Sequence, residues 1–185
     1  MDILSKSIKG FSFDDIVAFC RQGVPEGLQI DYKEEYPTNG FEKHLAAFSN
    51  TRGGVIIIGV RENRSSGLPE AWEGVDEVAK KIERFHQEAT NVNPVPSYDI
   101  CATNENQGKA FILVRIYEGD KTPYFIQNDS NVWVRTGNIS RQIDIASPEG
   151  LELLFGKKEN AEKARGLYLE IAEDTYQAAL VREEK

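Results

Sequence analysis

The hydrophobic pattern of this chain is densest at residues 55–60, where every side chain except that of Gly59 is apolar. A strand that is apolar on both faces is typical of the interior of a sheet covered on both sides. We therefore expect this segment to be the central strand of the fold.

Helices with one apolar face are predicted before and after this strand. Ser12 and Asp14 are candidate N-caps of a short first helix. A second helix is expected between the turn at residues 37–40 and Gly53-Gly54, because glycine is preferred at helix C-termini. A third helix is predicted from apolar residues at steps of three and four, at Val75, Val78, Ile82, Phe85 and Ala89.

Shorter apolar segments predict the remaining strands. The alternation at residues 28–33 predicts a strand whose polar face carries Asp31 and Lys33. Together with the helices, these strands predict an α+β fold with a mixed β-sheet and helices mainly on one side. The other predicted strands lie near residues 98–102, 110–117, 124–126 and 132–134, the last two as a hairpin.

The chain is predicted to form one domain over residues 1–156, followed by a long C-terminal helix at 157–185. A short helix at residues 147–155 is expected to close the domain. The long helix has an alanine-rich apolar stripe between mixed charges, and it either packs on the domain or pairs with a second copy of itself. Packing is the simpler reading, and a homodimer is the alternative.

Charge and composition restrict the partners of the protein. The chain has 185 residues, with 22 basic and 30 acidic side chains and a net charge of −8. Proteins that bind nucleic acid usually carry a basic footprint, so such binding would need a local basic patch here.

No apolar run approaches the roughly 18–20 residues that span a bilayer, so no membrane partner is expected. Two distant cysteines and an N-terminus without a secretory pattern indicate a reduced, cytoplasmic protein without structural zinc.

Three carboxylates are candidates for a metal site. Glu26 lies in the turn before the first strand, Asp31 lies on it, and Glu62 follows the central strand. If the two strands are neighbours, the carboxylates converge near Lys33, in an arrangement that suits Mg²⁺ or Mn²⁺ and a phosphodiester. The alternative is that they are three solvated acids among 30, which the spacing alone favours.

The joint between the second helix and the central strand is a candidate binding corner, because Asn50, Thr51 and Arg52 directly precede the glycine pair. A helix C-cap alone would explain the glycines themselves. Arg135 alternates with Val134 and is expected to point away from the core. Neither a GxxxxGK[ST] loop nor a GxGxxG motif is present, so a standard nucleotide fold is not indicated.

Four segments together resemble the Alba-like domain of the Schlafen family: E-x4-D-Y-K at residues 26–33, AAFSNTRGGVIIIGV, TPYF and VWVRTGNISR. In bacteria this domain is also described as a divergent AAA or DNA-binding transcriptional-regulator domain. The resemblance covers roughly residues 23–155 and implies a nucleic-acid-binding module. Some Schlafen proteins also cleave RNA with three carboxylates and a divalent metal, which would correspond to Glu26, Asp31 and Glu62. Arg61 departs from the family pattern, which commonly has an acidic residue there.

Three hypotheses follow from the residues and the resemblance. The first is a non-enzymatic regulatory domain that binds DNA or RNA as a dimer. The second is an endoribonuclease that uses Mg²⁺ or Mn²⁺ on the three carboxylates, with Lys33 steadying the phosphate. The third is a protein-interaction or oligomerisation module, which the acidic charge favours. The nucleic-acid contacts expected under the first are Lys33, Arg52, Arg61, Arg135 and Asn138.

Overall fold

The structure is a computed structural model that describes residues 2–127, 129, 131–144, 147, 148, 150, 152 and 156. The predicted C-terminal helix at 157–185 and most of the predicted helix at 147–155 lie outside these residues. The helices are α1 (Phe13–Arg21), α2 (Phe41–Ser49) and α3 (Val78–Ala89). The strands are β1 (Ile30–Lys33), β2 (Gly54–Ile58), β3 (Val60–Glu62), β4 (Pro69–Trp72), β5 (Val92–Asn93), β6 (Tyr98–Ala102), β7 (Ile112–Ile116), β8 (Phe125–Ile126), β9 (Val132–Thr136) and β10 (Ile139–Ile143).

The described strands form two four-stranded sheets and a separate hairpin. The first sheet has the order β1-β2-β7-β6, in which β1 and β2 are parallel and the other pairs are antiparallel. The second sheet has the order β10-β9-β8-β5 and is antiparallel throughout. Strands β3 and β4 pair with each other. The architecture is therefore α+β, as the sequence predicts, but with more than one sheet.

The central strand is interior in the first sheet, as predicted, but it is shorter than the apolar run. Gly59 separates β2 from β3 and has a φ of +105°, a conformation that favours glycine. A Cβ at this position would lie 2.6 Å from the Cα of Gly74. The close approach of the two backbones thus ends the strand and turns the chain into the β3–β4 hairpin.

The first sheet is covered on both faces because β2 is apolar on both faces. Ile56 and Ile58 face a core formed with α2 and α3. Val55 and Ile57 face a second core formed with α1. Burying each such side chain contributes roughly 1.5–3 kcal/mol to the free energy of unfolding. Two of the three described helices, α2 and α3, thus lie on one side of this sheet, in line with the expectation that helices lie mainly on one side, and α1 covers the opposite face.

Local signals at the helix ends match the sequence in part. Ser12 is the N-cap of α1, where its Oγ accepts the Asp15 N–H at 3.2 Å and the Asp15 carboxylate accepts the Ser12 N–H at 2.9 Å. Helix α3 begins later than predicted, because Val75 exchanges two backbone hydrogen bonds with Ala110.

No helix among the described residues is long and apolar enough to cross a membrane.

The joint between α2 and β2 is held by a close backbone contact. The Gly53 N–H donates to the carbonyl oxygen of Phe48 at 2.8 Å, and Gly53 has a φ of +62°. A Cβ on Gly53 would lie 2.5 Å from the carbonyl oxygen of Ile116. Both the left-handed backbone and the approach of β7 therefore require glycine here.

Candidate functional site

Asn50 faces the interior of the protein rather than a ligand. It is 1% exposed, and its Nδ2 donates to the carbonyl oxygens of Tyr124 at 2.8 Å and Trp133 at 3.0 Å. Its Oδ1 accepts the Tyr124 N–H at 2.8 Å. These bonds connect the end of α2 to the second sheet, so the Asn50 amide is engaged within the protein although the residue borders the cleft described below.

Thr51 makes a similar connection beside it. Its Oγ accepts the Arg135 N–H at 2.8 Å and donates to the carbonyl oxygen of Ala47 at 2.8 Å. The hydroxyl thereby joins α2 to β9. Of the three polar residues at the joint, Arg52 is the one whose side chain is exposed.

Beneath β9 lies a group of charges that we call the inner cluster, in which two members are buried and three are partly exposed: Arg135 and Asp31, and Lys33, Glu26 and Glu62. The Arg135 side chain is 0% exposed, and its Nη1 lies 2.9 Å from Oδ1 of Asp31. Its Nη2 donates to the carbonyl oxygen of Gly27 at 2.7 Å. The guanidinium carbon lies 4.6 Å from the centre of the Phe48 ring, within cation–π range.

Arg135 is therefore not a phosphate contact, and the expectation that it points away from the core is corrected. Its neighbour Val134 is also buried, so β9 is covered on both faces at this point. One face of β9 packs against α2, and the guanidinium enters between α2 and β1. Its charge is neutralised inside the protein by Asp31.

Lys33 is also engaged within the inner cluster. Its Nζ forms an ion pair with Oδ2 of Asp31 and donates to the carbonyl oxygen of Tyr32 at 3.1 Å. The Asp31 side chain, which is 2% exposed, is thus shared between two cations. Lys33 therefore balances a buried carboxylate and presents little charge to a ligand.

Glu26 and Glu62 complete the inner cluster. Glu26 accepts the Tyr32 N–H at 2.6 Å. Burial, a hydrogen bond with Glu62 and the charge of Asp31 raise the pKa of Glu26 to about 8. The structure thus brings the three predicted carboxylates near one another, and burial beside the other two favours the protonated form of Glu26.

This donor arrangement does not fit Mg²⁺ or Mn²⁺. Such hard cations bind ionised oxygens, whereas Asp31 already forms ion pairs with Arg135 and Lys33, and burial near Glu62 and Asp31 raises the pKa of Glu26 to about 8. Within the described part of the chain, no group of three or more His, Cys, Asp or Glu side chains is placed to hold a metal ion.

Two further expected contacts lie on the surface. Arg61 is half-exposed on β3 and pairs with Glu34 at 3.6 Å and Glu70 at 3.8 Å. It borders a shallow cleft that is also lined by Glu34, Glu35 and Glu73. Asn138 is exposed in the turn between β9 and β10. Arg61 therefore lies in acidic surroundings, away from the joint.

A second cleft, which we call the outer cleft, opens between the joint and the β9–β10 hairpin and has a volume of about 280 Å³. Arg52 lines it from the joint and Arg141 from β10. Both side chains are exposed, and neither has a carboxylate partner within the described residues. The described lining residues are Asn50, Thr51, Arg52, Glu118, Val134, Arg135, Thr136, Arg141 and Ile143.

Strand β10 was missed in the sequence, and with it the position of Arg141. The signal was present, because Gly137-Asn138 is a two-residue turn of the kind that joins antiparallel strands. Extending the hairpin across this turn pairs Arg141 with Val134, as the structure shows. That pairing brings Arg141 to the same side of the molecule as the joint.

Comparison with known proteins identifies the family. The family model described as Schlafen, AlbA_2 matches residues 26–144, which is more than half of the chain. The chain belongs to the Schlafen AlbA_2 family. The resemblance inferred from the sequence motifs is thereby confirmed. No curated protein sequence matches the chain.

The fold is also similar to that of a solved structure. The N-terminal domain of a RecG-related protein from Nitrosomonas europaea, named for ATP-dependent DNA helicases, is similar with a TM-score of 0.53 and 18% identity. That match covers 74% of this chain and 94% of the domain. A Corynebacterium diphtheriae protein matches with a TM-score of 0.41 and 17% identity, over 69% of this chain and 25% of that protein.

The AlbA_2 segment contains both sites described above. It begins at Glu26 in the inner cluster and ends at residue 144, just beyond β10. Helix α1 precedes it and covers one face of the AlbA_2 sheet. The inner cluster and the outer cleft are therefore both features of the family domain in this chain.

Proposed function

We propose that this AlbA_2 domain is a nucleic-acid-binding regulatory domain that contacts phosphates through Arg52 and Arg141. The observation that supports this most directly is the pair of exposed arginines on one cleft, neither with a carboxylate partner among the described residues. Guanidinium groups suit phosphates because their planar donors match two phosphate oxygens at once. Lys33, Arg61 and Arg135, by contrast, are engaged with carboxylates.

Family membership supports the same class of ligand. The Alba-like domain is generally a nucleic-acid-binding module, and one similar fold belongs to a protein related to a DNA helicase. A likeness of fold does not by itself transfer function. The proposal therefore depends on the arginine pair and uses the family only as support.

The acidic body of the protein defines what kind of binding to expect. With a net charge of −8, long-range attraction of a polyanion is absent and affinity depends on a few local contacts. Two phosphate contacts correspond to a slope of log K against log salt of about −1.4 for a single strand and about −1.8 for a duplex. We thus expect weak binding with a shallow salt dependence.

Fluorescence anisotropy with labelled DNA and RNA, single-stranded and duplex, between 50 and 200 mM salt tests the proposal. Arg52→Ala and Arg141→Ala should each weaken binding and reduce the slope by about 0.7 to 0.9. Arg64→Ala, an exposed arginine between β3 and β4 that does not line the outer cleft, is the matched control. Absence of binding to every probe at 50 mM salt would contradict the proposal and favour a protein-interaction role.

We do not extend the proposal to metal-dependent RNA cleavage, because the inner cluster does not fit a divalent cation. The same panel incubated with Mn²⁺ tests this separately. We expect intact RNA after incubation. Cleavage that disappears in Glu26→Ala would instead establish the endoribonuclease hypothesis.

A further inference from the structure

The outer cleft has an apolar floor as well as a charged rim. Val134 of β9 and Ile143 of β10 line it with aliphatic side chains. Its volume of about 280 Å³ lies at the lower end of the roughly 300–1,000 Å³ typical of small-molecule sites. A site that contacted only phosphates would need neither this depth nor this floor.

The walls of the cleft offer hydrogen-bond donors to an anion. Arg52 lines it from the joint and Arg141 from β10, and Thr136 adds a hydroxyl. The Arg135 side chain lies on the opposite side of β9, within the inner cluster, so the exposed cations among the described lining residues are Arg52 and Arg141.

We propose that the outer cleft receives one unpaired nucleotide of a nucleic-acid strand. Its phosphate lies between Arg52 and Arg141, and its base packs on Val134 and Ile143. This inference rests on the proposed function and names the ligand unit that enters the site. The base of an unpaired nucleotide can turn out of its stack, whereas a duplex keeps its bases inside and offers this cleft only phosphates.

The chemistry of the lining also determines how strongly the cleft should prefer a single strand to a duplex. Nucleic-acid strands are usually held by bases stacked on aromatic rings, but no aromatic residue lines this cleft within the described residues. Packing on aliphatic side chains contributes less than stacking. We therefore expect a preference of about fivefold for a single strand over a duplex of equal charge.

The deciding probe is a labelled single strand whose bases are absent. An abasic oligonucleotide has the same phosphates as the intact strand but has no base to place on the floor of the cleft. We expect it to bind about fivefold more weakly than the intact strand at 50 mM salt. Equal affinities of the two strands would overturn the inference.

A pair of isoleucines on β10 supplies matched variants. Ile143→Ser removes part of the floor, whereas Ile139 is 63% exposed on the same strand and does not line the cleft. We expect Ile143→Ser to weaken binding of the intact strand about threefold and to leave abasic binding unchanged. Ile139→Ser should alter neither. Equal effects of Ile143→Ser on both strands would also count against a base on the floor.

The arginine variants separate failure of the inference from failure of the proposed function. If Arg52→Ala weakens binding while intact and abasic strands bind equally, the domain binds phosphates and no base enters the cleft. If no strand binds, or if Arg52→Ala and Arg141→Ala have no effect, the proposed function itself fails. Thermal unfolding checks that each variant is folded, and the comparison with the abasic strand needs no variant.

Discussion

The inner cluster and the outer cleft each contain an arginine from the β9–β10 hairpin, but the two arginines have opposite surroundings. Arg135 has a side-chain exposure of 0% and faces Asp31. Arg141, on the neighbouring strand, is exposed without a carboxylate partner among the described residues. Residue type alone therefore says little about whether a charge holds the fold together or is available to a ligand. The presence or absence of a neighbouring carboxylate determines which of the two roles an arginine can have.

The charge balance of the two regions makes the same distinction. In the inner cluster, Arg135 and Lys33 pair with Asp31, and the raised pKa of Glu26 reduces the negative charge. Among the described lining residues of the outer cleft, the exposed arginines Arg52 and Arg141 outnumber the one acidic residue, Glu118. Cations that pair with carboxylates inside the protein are not available to a ligand, whereas exposed positive groups suit an anionic one.

Removing each arginine should give the largest contrast between the two regions. Arg135→Leu leaves Asp31 buried with one cation fewer, and we expect the free energy of unfolding to fall by about 3–5 kcal/mol. Arg141→Leu, the matched control, should change it by less than about 0.5 kcal/mol, as is usual for exposed positions. Urea denaturation measures both. Similar losses for the two variants would contradict the division into a structural and a ligand-binding arginine.

Titration of Glu26 should give a smaller effect that is confined to the inner cluster. Its pKa in the folded protein is about 8, above its ordinary value of 4.5. Between these values the folded state holds a proton that the unfolded state releases. The contribution of Glu26 to the free energy of unfolding therefore falls as the pH rises through this window and levels off above pH 8.

Glu26→Gln removes this titration. From pH 5 to pH 8.5 we expect the variant to gain about 1–2 kcal/mol relative to the native protein, after allowance for solvent screening. Glu105→Gln, at an exposed loop position, is the control and should run parallel to the native protein. Parallel curves for Glu26→Gln as well would show that Glu26 is ionised throughout.

The smallest expected effect belongs to the outer cleft. Glu118 lines it beside the two arginines, and its negative charge opposes a phosphate. We expect Glu118→Gln to tighten binding of single-stranded nucleic acid about two- to threefold, in line with the modest energies of exposed charges. Anisotropy at 50 mM salt measures the change. Weaker binding by the variant would indicate that Glu118 helps to position an arginine.

The parts of the fold that could be predicted are those that depend on residues close to one another in the sequence. The apolar run at residues 55–60 was sufficient to place β2 inside a sheet, and Ser12 was recognisable as an N-cap. Arg135 could not be assigned correctly, because alternation along β9 does not reveal that both faces of the strand are covered. Asn50 could not be assigned either, since its partners lie 74 and 83 residues away.

The residues of the candidate site could likewise be predicted only in part from the sequence. Arg52 was identifiable because it adjoins the predicted joint, and its exposure followed from its place beyond the end of α2. The position of Arg141 could be predicted only by recognising β10, the strand that follows the two-residue turn. The engagement of Lys33 and Arg135 with Asp31 depends on tertiary packing, which local patterns do not contain.

The contacts of Asn50 have a consequence for which amino-acid substitutions this domain can tolerate. Among the described residues, its amide bonds to main-chain atoms of residues 124 and 133, so these bonds do not depend on the identity of those two side chains. At position 50 itself, aspartate would lack the donor and glutamine would be one methylene too long. The bonds of Asn50 are therefore independent of the side chains at its two partner positions, whereas position 50 itself has almost no acceptable replacement.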